Sequence, residues 1–246
     1  PVVIISPSSG ETKKEYIALA YYLASNGFHV LRYDHTDHVG ESDGSIVNTT
    51  LTSMQQDLHE LLDFAQCTWP ASPIVLVATG LAARVALKAV AQDRRVSLLL
   101  LLSSILDVKA TLLSVHQKDL IDIHARGDRL GVINLLGCTI NAGHWLEDAM
   151  KGGYADLNTT VKHAEQIRTP VILFTSENSA AAPHDSVTQL QTALGSRFRG
   201  SYILPEPSYR LHENPKRDLD PCESRCRVKS LAKHESSASE PDSNSE

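Results

Sequence analysis

The 246-residue chain is 42% apolar and 21% charged, with 23 basic and 29 acidic residues and a formal net charge of -6. That suffices for one sizeable domain with a buried core and a short appendage, and leaves no room for a second full domain. The basic residues are scattered, so no DNA or RNA partner is expected, and the longest apolar run, Val96 to Leu102, is far too short to span a bilayer.

Taken in chain order, Val2 to Ile5 reads as a strand apolar on both faces, followed by a helical pattern from Lys13 to Ser25. His29 to Tyr33 is a second such strand, Thr52 to Gln66 a helix, Ile74 to Ala78 a third strand, Ala82 to Gln92 a helix, and Val96 to Leu102 a fourth strand. Buried parallel strands have this character, and their alternation with helices predicts an α/β fold with a doubly wound, mostly parallel sheet. The stretch from Ile105 to about Val161 breaks the rhythm with short helical pieces and several glycines, as a helical cap inserted over the mouth of a site would. Val171 to Thr175 and Ser201 to Leu204 read as the last strands, with a helix from Asp185 to Leu194 between them. From Pro215 to Glu246 the composition turns to Lys, Arg, Ser, Glu and Pro, a tail expected to be disordered.

Cys67, Cys138, Cys222 and Cys226 lie at irregular spacings, and one Cys-x3-Cys pair is a poor zinc signal, so reduced thiols in a cytoplasmic protein are expected, with no metal and no cofactor. Pro1 to Ile5 lacks the basic flank of a signal peptide.

The turn after the third strand, Thr79-Gly80-Leu81-Ala82-Ala83-Arg84, runs directly into a helix and is built from small residues. The nucleophile elbow of an α/β hydrolase, Gly-x-Ser-x-Gly, needs small neighbours there because the turn is strained and tightly packed. Matched to that pattern, Ala82 stands where the nucleophile belongs, and a methyl group cannot attack a carbonyl. A plain strand-to-helix turn explains the same residues.

A longer pattern is more specific. Asn26-Gly27-Phe28-His29-Val30-Leu31-Arg32-Tyr33-Asp34, followed by His38-Val39-Gly40 and Ser42-x-Gly44-Ser45-Ile46, resembles the acyl transferases that feed the fatty acid reductase of luminous bacteria, in effect acyl-carrier-protein thioesterases. The resemblance continues through Ala83-Arg84-Val85-Ala86, Gly153-Tyr154-x-Asp156-Leu157 and Phe174-Thr175 to Leu211-x-Glu213-Asn214. It implies an α/β-hydrolase domain over residues 1–214 with its cap at about 105–161, beginning at what would be the third strand of the family.

It also implies a Ser, Asp, His triad in that chain order. Carried over by motif, the nucleophile falls on Ala82, the acid on Ser179, with Glu177 or Asp185 as substitutes only if the loop reroutes, and the base on Tyr209, with His212 a possible replacement. The oxyanion donors would be the backbone N–H of Ala83 and one from Ser6-Pro7-Ser8-Ser9-Gly10, where Ser8-Ser9 replaces the family's Gly-Phe pair.

Other polar residues have structural readings beside functional ones. Asp34, Gly40 and Ser42 resemble a turn that follows the preceding strand in many hydrolases, where the side chains bond the backbone. His38 could face the pocket or pack. Thr79 and Ser8 are the hydroxyls nearest the elbow, and neither would be activated without a histidine. Cys138 is expected to be a buried, inert thiol; His144, Trp145 and Tyr154 line an acyl pocket or form the core of the cap.

The expected function is that of an acyl transferase or thioesterase acting on, or binding, a long-chain acyl thioester or acyl carrier protein, with a possible acyl-reductase partner and with hydrolysis lost or weak. The alternatives are a non-catalytic binding or scaffold protein, and a cyclase or lyase that reuses the pocket through Tyr209 and His212.

Overall fold

Strands that are apolar on both faces can be covered only from both sides, and this chain does so with a single parallel sheet. The structure, a computed structural model, describes residues 1–176 and 184–204. Eight strands are found among them: β1 (Val2–Ser6), β2 (His29–Arg32), β3 (Ile74–Thr79), β4 (Val96–Leu102), β5 (Val132–Leu135), β6 (Cys138–Asn141), β7 (Val171–Ser176) and β8 (Phe198–Leu204). Six of them form the sheet in the order β2-β1-β3-β4-β7-β8, every pair parallel.

The period of two along β1 sorts its side chains. Val3 and Ile5, with Val77 of β3, pack beneath α1 (Ile17–Ser25), and Val2 and Ile4 join the larger core on the other face. That core is closed by Leu58 and Leu62 of α2 (Leu51–Thr68), Ala86 and Val90 of α3 (Gly80–Gln92), Ala164 of α7 (Leu157–Gln166) and Leu190 of α8 (His184–Leu194). The doubly wound arrangement read from the sequence is therefore present.

Between β4 and β7 lie α4 (Val108–His116), α5 (Leu120–Ala125), the antiparallel hairpin β5-β6 and α6 (Ala142–Lys151). The hairpin departs from the expectation of helical pieces alone. Its two-residue loop, Leu136-Gly137, has φ of 52° and 89°, the double positive φ of a type I′ turn. A second core joins this segment to the sheet layer, with Leu81, Ala82 and Val85 of α3 packed among Cys138, Ile140, Trp145 and Leu146. Among the described residues no helix is long and apolar enough to cross a membrane.

Candidate active site at the strand-to-helix elbow

In an open parallel sheet, ligands bind beyond the carboxyl ends of the strands where the winding reverses. Here β1 is flanked by β2 on one side and β3 on the other, and Ser6 at the end of β1 is in register with Ala78 near the end of β3. The loop after β1 and the turn after β3 therefore face each other at the switch point.

The turn is abrupt. Thr79 is extended (φ -120°, ψ 151°), Gly80 has φ of +47°, and α3 begins at Gly80. A residue that must reverse direction between strand and helix is forced toward left-handed backbone, which glycine adopts without penalty. Small residues flank it two positions on either side, Ala78 and Ala82, both fully buried.

Ser8, from the loop after β1, enters this turn. Its Oγ accepts the Leu81 N–H at 3.0 Å. A Cβ placed on Gly80 would lie 2.9 Å from the Ser8 Cβ and closer still to its Oγ, inside the 3.0 Å that real Cβ contacts essentially never breach.

The surroundings of Ser8 are hydrogen-bonded on several sides. Glu11 Oε2 accepts the Ser8 N–H at 2.8 Å, the Tyr16 hydroxyl at 2.5 Å and the Thr79 hydroxyl at 3.1 Å, and the Tyr16 and Thr79 hydroxyl oxygens lie 2.9 Å apart. Burial, reinforced by the nearby Glu11 carboxylate, pushes the Tyr16 hydroxyl well above its ordinary range, so it stays a donor. Fully buried His35 sits 3.3 Å from the Pro7 carbonyl through Nε2 and 3.1 Å from Asp57 Oδ2 through Nδ1. His38 Nε2 accepts the Gly10 N–H at 3.1 Å; burial, with His35 nearby, pulls its pKa down to about 4, so it is neutral at pH 7. Ser9 Oγ lies 3.5 Å from Cys138 Sγ at the start of β6, so the hairpin borders the same loop.

These features match a known group at the level of the whole chain. The family model for acyl transferases matches residues 2–216. The chain belongs to the acyl transferase family. It is 28% identical to an acyl transferase of Photorhabdus luminescens over 213 residues, 86% of this chain and 68% of the relative, and 24% identical to one of Photobacterium phosphoreum over 86% and 69%. Among solved structures, a monoacylglycerol lipase of Paleococcus ferrophilus superposes with a TM-score of 0.61 at 16% identity over 83% of both chains. The thioesterase domain of the curacin biosynthetic pathway superposes with a TM-score of 0.58 at 14% identity over 87% of both. These neighbours support the α/β-hydrolase fold.

The geometry of this family member differs from two of the positions expected from sequence. Ala82 lies inside α3, two residues past the positive-φ turn, and is buried against the hairpin core, so it flanks the elbow and does not occupy it. Ala83 lies deeper still in the helix, past the first amides, so the N–H presented at the turn is that of Leu81. Ser8 and Ser9 are both at the site, in the roles just described. Ser179, Tyr209, His212 and Glu177 lie outside the described residues, as does the 215–246 tail. Asp185 is exposed in the first turn of α8.

Of the remaining candidates, Asp34 binds the backbone: Oδ1 accepts the Lys13 N–H at 2.7 Å and Oδ2 the Glu41 N–H at 2.9 Å, with Lys13 Nζ at 3.1 Å. Burial opposes ionisation there, but those donors outweigh it and hold the carboxyl below its usual range. Ser42 Oγ donates to the Asp34 carbonyl, and a Cβ on Gly40 would collide with the Asp34 side chain. Trp145 and Tyr154 are core residues of the insertion, His144 is exposed, and Cys138 is a buried free thiol. Among the described residues no cluster of His, Cys, Asp or Glu could hold a metal. Sequence reasoning missed the clamp on Ser8, since Glu11 and Tyr16 match no motif.

Proposed function

We propose that this acyl transferase family member binds a long-chain acyl thioester, free or on a carrier protein, without passing the acyl group through an elbow serine. One observation carries this reading. The residue at the strained turn, where the nucleophile of a serine hydrolase stands, is Gly80, which has no side chain to acylate. The family supplies the acyl chemistry and the hydrolase fold supplies the place. Without a covalent intermediate, an acyl carbonyl at this elbow would be held and not cut.

Intact-mass measurement after incubation with a long-chain acyl thioester tests the reading. No acyl adduct should form, while the thioester shifts amide resonances of the loop after β1 around Ser8–Gly10. A stoichiometric adduct on any hydroxyl or thiol of the chain would show that another nucleophile has taken over and end the proposal.

A further inference from the structure

We infer that the Ser8 hydroxyl is a resident ligand of the elbow, filling the nucleophile's space and holding the Leu81 N–H that an acyl carbonyl would otherwise use; this rests on Gly80 being the elbow residue.

The first amides of a helix have no intrahelical acceptor. In a hydrolase elbow the N–H just after the nucleophile is left open for the oxyanion of the reaction. In this chain Leu81 is that residue, and its N–H already points at Ser8 Oγ, 3.0 Å away. The same Oγ crowds the place where any Cβ at position 80 would stand. One hydroxyl thus removes both the room for a nucleophile and the donor that would stabilise its product.

This placement is built rather than incidental. Ser8 is fixed through its own N–H by Glu11, and Glu11 also holds the hydroxyl of Thr79, the residue directly before Gly80. The carboxylate therefore ties the loop to the elbow through a second connection besides the Ser8 to Leu81 bond. Tyr16 closes the clamp from α1, and His35 meets the Pro7 carbonyl. A carbonyl ligand reaching Leu81 must displace a hydroxyl whose preceding peptide group is held at both its carbonyl and its N–H.

The test compares the whole chain with its Ser8→Ala variant by amide NMR. The ligand is a ketone analogue of dodecanoyl-pantetheine with CH2 in place of the thioester sulfur. In the unaltered protein the Leu81 amide should exchange with solvent at least about tenfold more slowly than in the variant, and its resonance should stay put when the ketone is added. In Ser8→Ala the resonance should move, and the ketone should bind about fivefold more tightly, the gain of one net hydrogen bond. Equal exchange rates in the two proteins, or an equal ketone-induced shift at Leu81, overturn the inference. If neither protein binds the ketone, the acyl-binding function fails while the exchange rates still decide the role of Ser8. Should Ser8→Ala not fold, the pair Gly80→Ala and Gly80→Ala/Ser8→Gly decides by melting temperature. The double variant should melt several degrees above the single one, and a double variant no more stable than the single one refutes the crowding.

Discussion

Gly80 and Ala82 show what a residue's identity hides. Both are small, both sit in a stretch compatible with helix, and the Gly-x-Ser-x-Gly template accepts Gly80 as its first glycine. What separates them is the sign of φ at one position, +47° at Gly80, which composition does not reveal. The sequence pattern puts the nucleophile position at Ala82, whereas the backbone reversal between strand and helix lies at Gly80. Arg84, two residues further along the helix, is a second case. It is fully buried, its Nη2 donates to the Gly153 carbonyl at 2.5 Å and meets His163 Nδ1 at 3.2 Å, its guanidinium carbon is 5.6 Å from the Tyr154 ring centroid, and Nε and Nη1 have no hydrogen-bond partner among the described residues. Burial pulls its pKa down to about 10, still leaving it charged. The planar fork spans from α3 to the Gly153 backbone, a reach that an ammonium group does not reproduce. Arg84→Ala should lower unfolding free energy by about 2–4 kcal/mol in urea titrations, through lost packing and an unanswered carbonyl, and Arg84→Lys should recover less than half of that.

At the scale of elements, the insertion is fastened to the sheet layer through helix ends. The first turn of α2 is capped twice: Thr50 and Ser53 form a capping box, and Asp148 of α6 accepts the Leu51 and Thr52 N–H groups at 2.9 and 3.0 Å. A carboxylate there satisfies orphan amides and meets the positive end of the helix dipole. Asp148→Ala should therefore cost about 1–2 kcal/mol, read as a lower urea midpoint with an unchanged slope. The strand and helix rhythm was legible because it is written in apolar periodicity. The hairpin β5-β6 was not, because its I′ turn is spelled Leu-Gly instead of Asn-Gly, and Leu136 at φ of 52° is a placement that local preference disfavours. The start of α1 was also misplaced: Thr12 folds back on Glu15, and the helix begins at Ile17 instead of Lys13.

For the whole molecule, two histidines, buried His38 and half-buried His163, set the response to mild acid. Burial pulls both His38 and His163 down to about 4, the latter with Arg84 and Lys88 nearby. In the unfolded chain each titrates near 6.5, so between those values the unfolded state binds more protons than the folded one, and stability falls as pH drops from about 6.5 to about 4, below which the histidine contribution is constant. The melting temperature should fall on the order of 10 °C across that window, and His38→Gln should lessen the slope throughout it. The carboxylates Asp34 and Asp57, both held below their ordinary values, act at lower pH and so remain separable. The crowding at the elbow also constrains the history of the chain. A side chain at position 80 and Ser8 in its present rotamer exclude each other, so any lineage that once carried a serine there had to lose it before, or together with, the arrival of this hydroxyl. Reversion by a single substitution at 80 would meet an occupied space. The pair works as a mutational ratchet, and a return to an elbow nucleophile needs coordinated change in two loops separated by more than seventy residues of sequence.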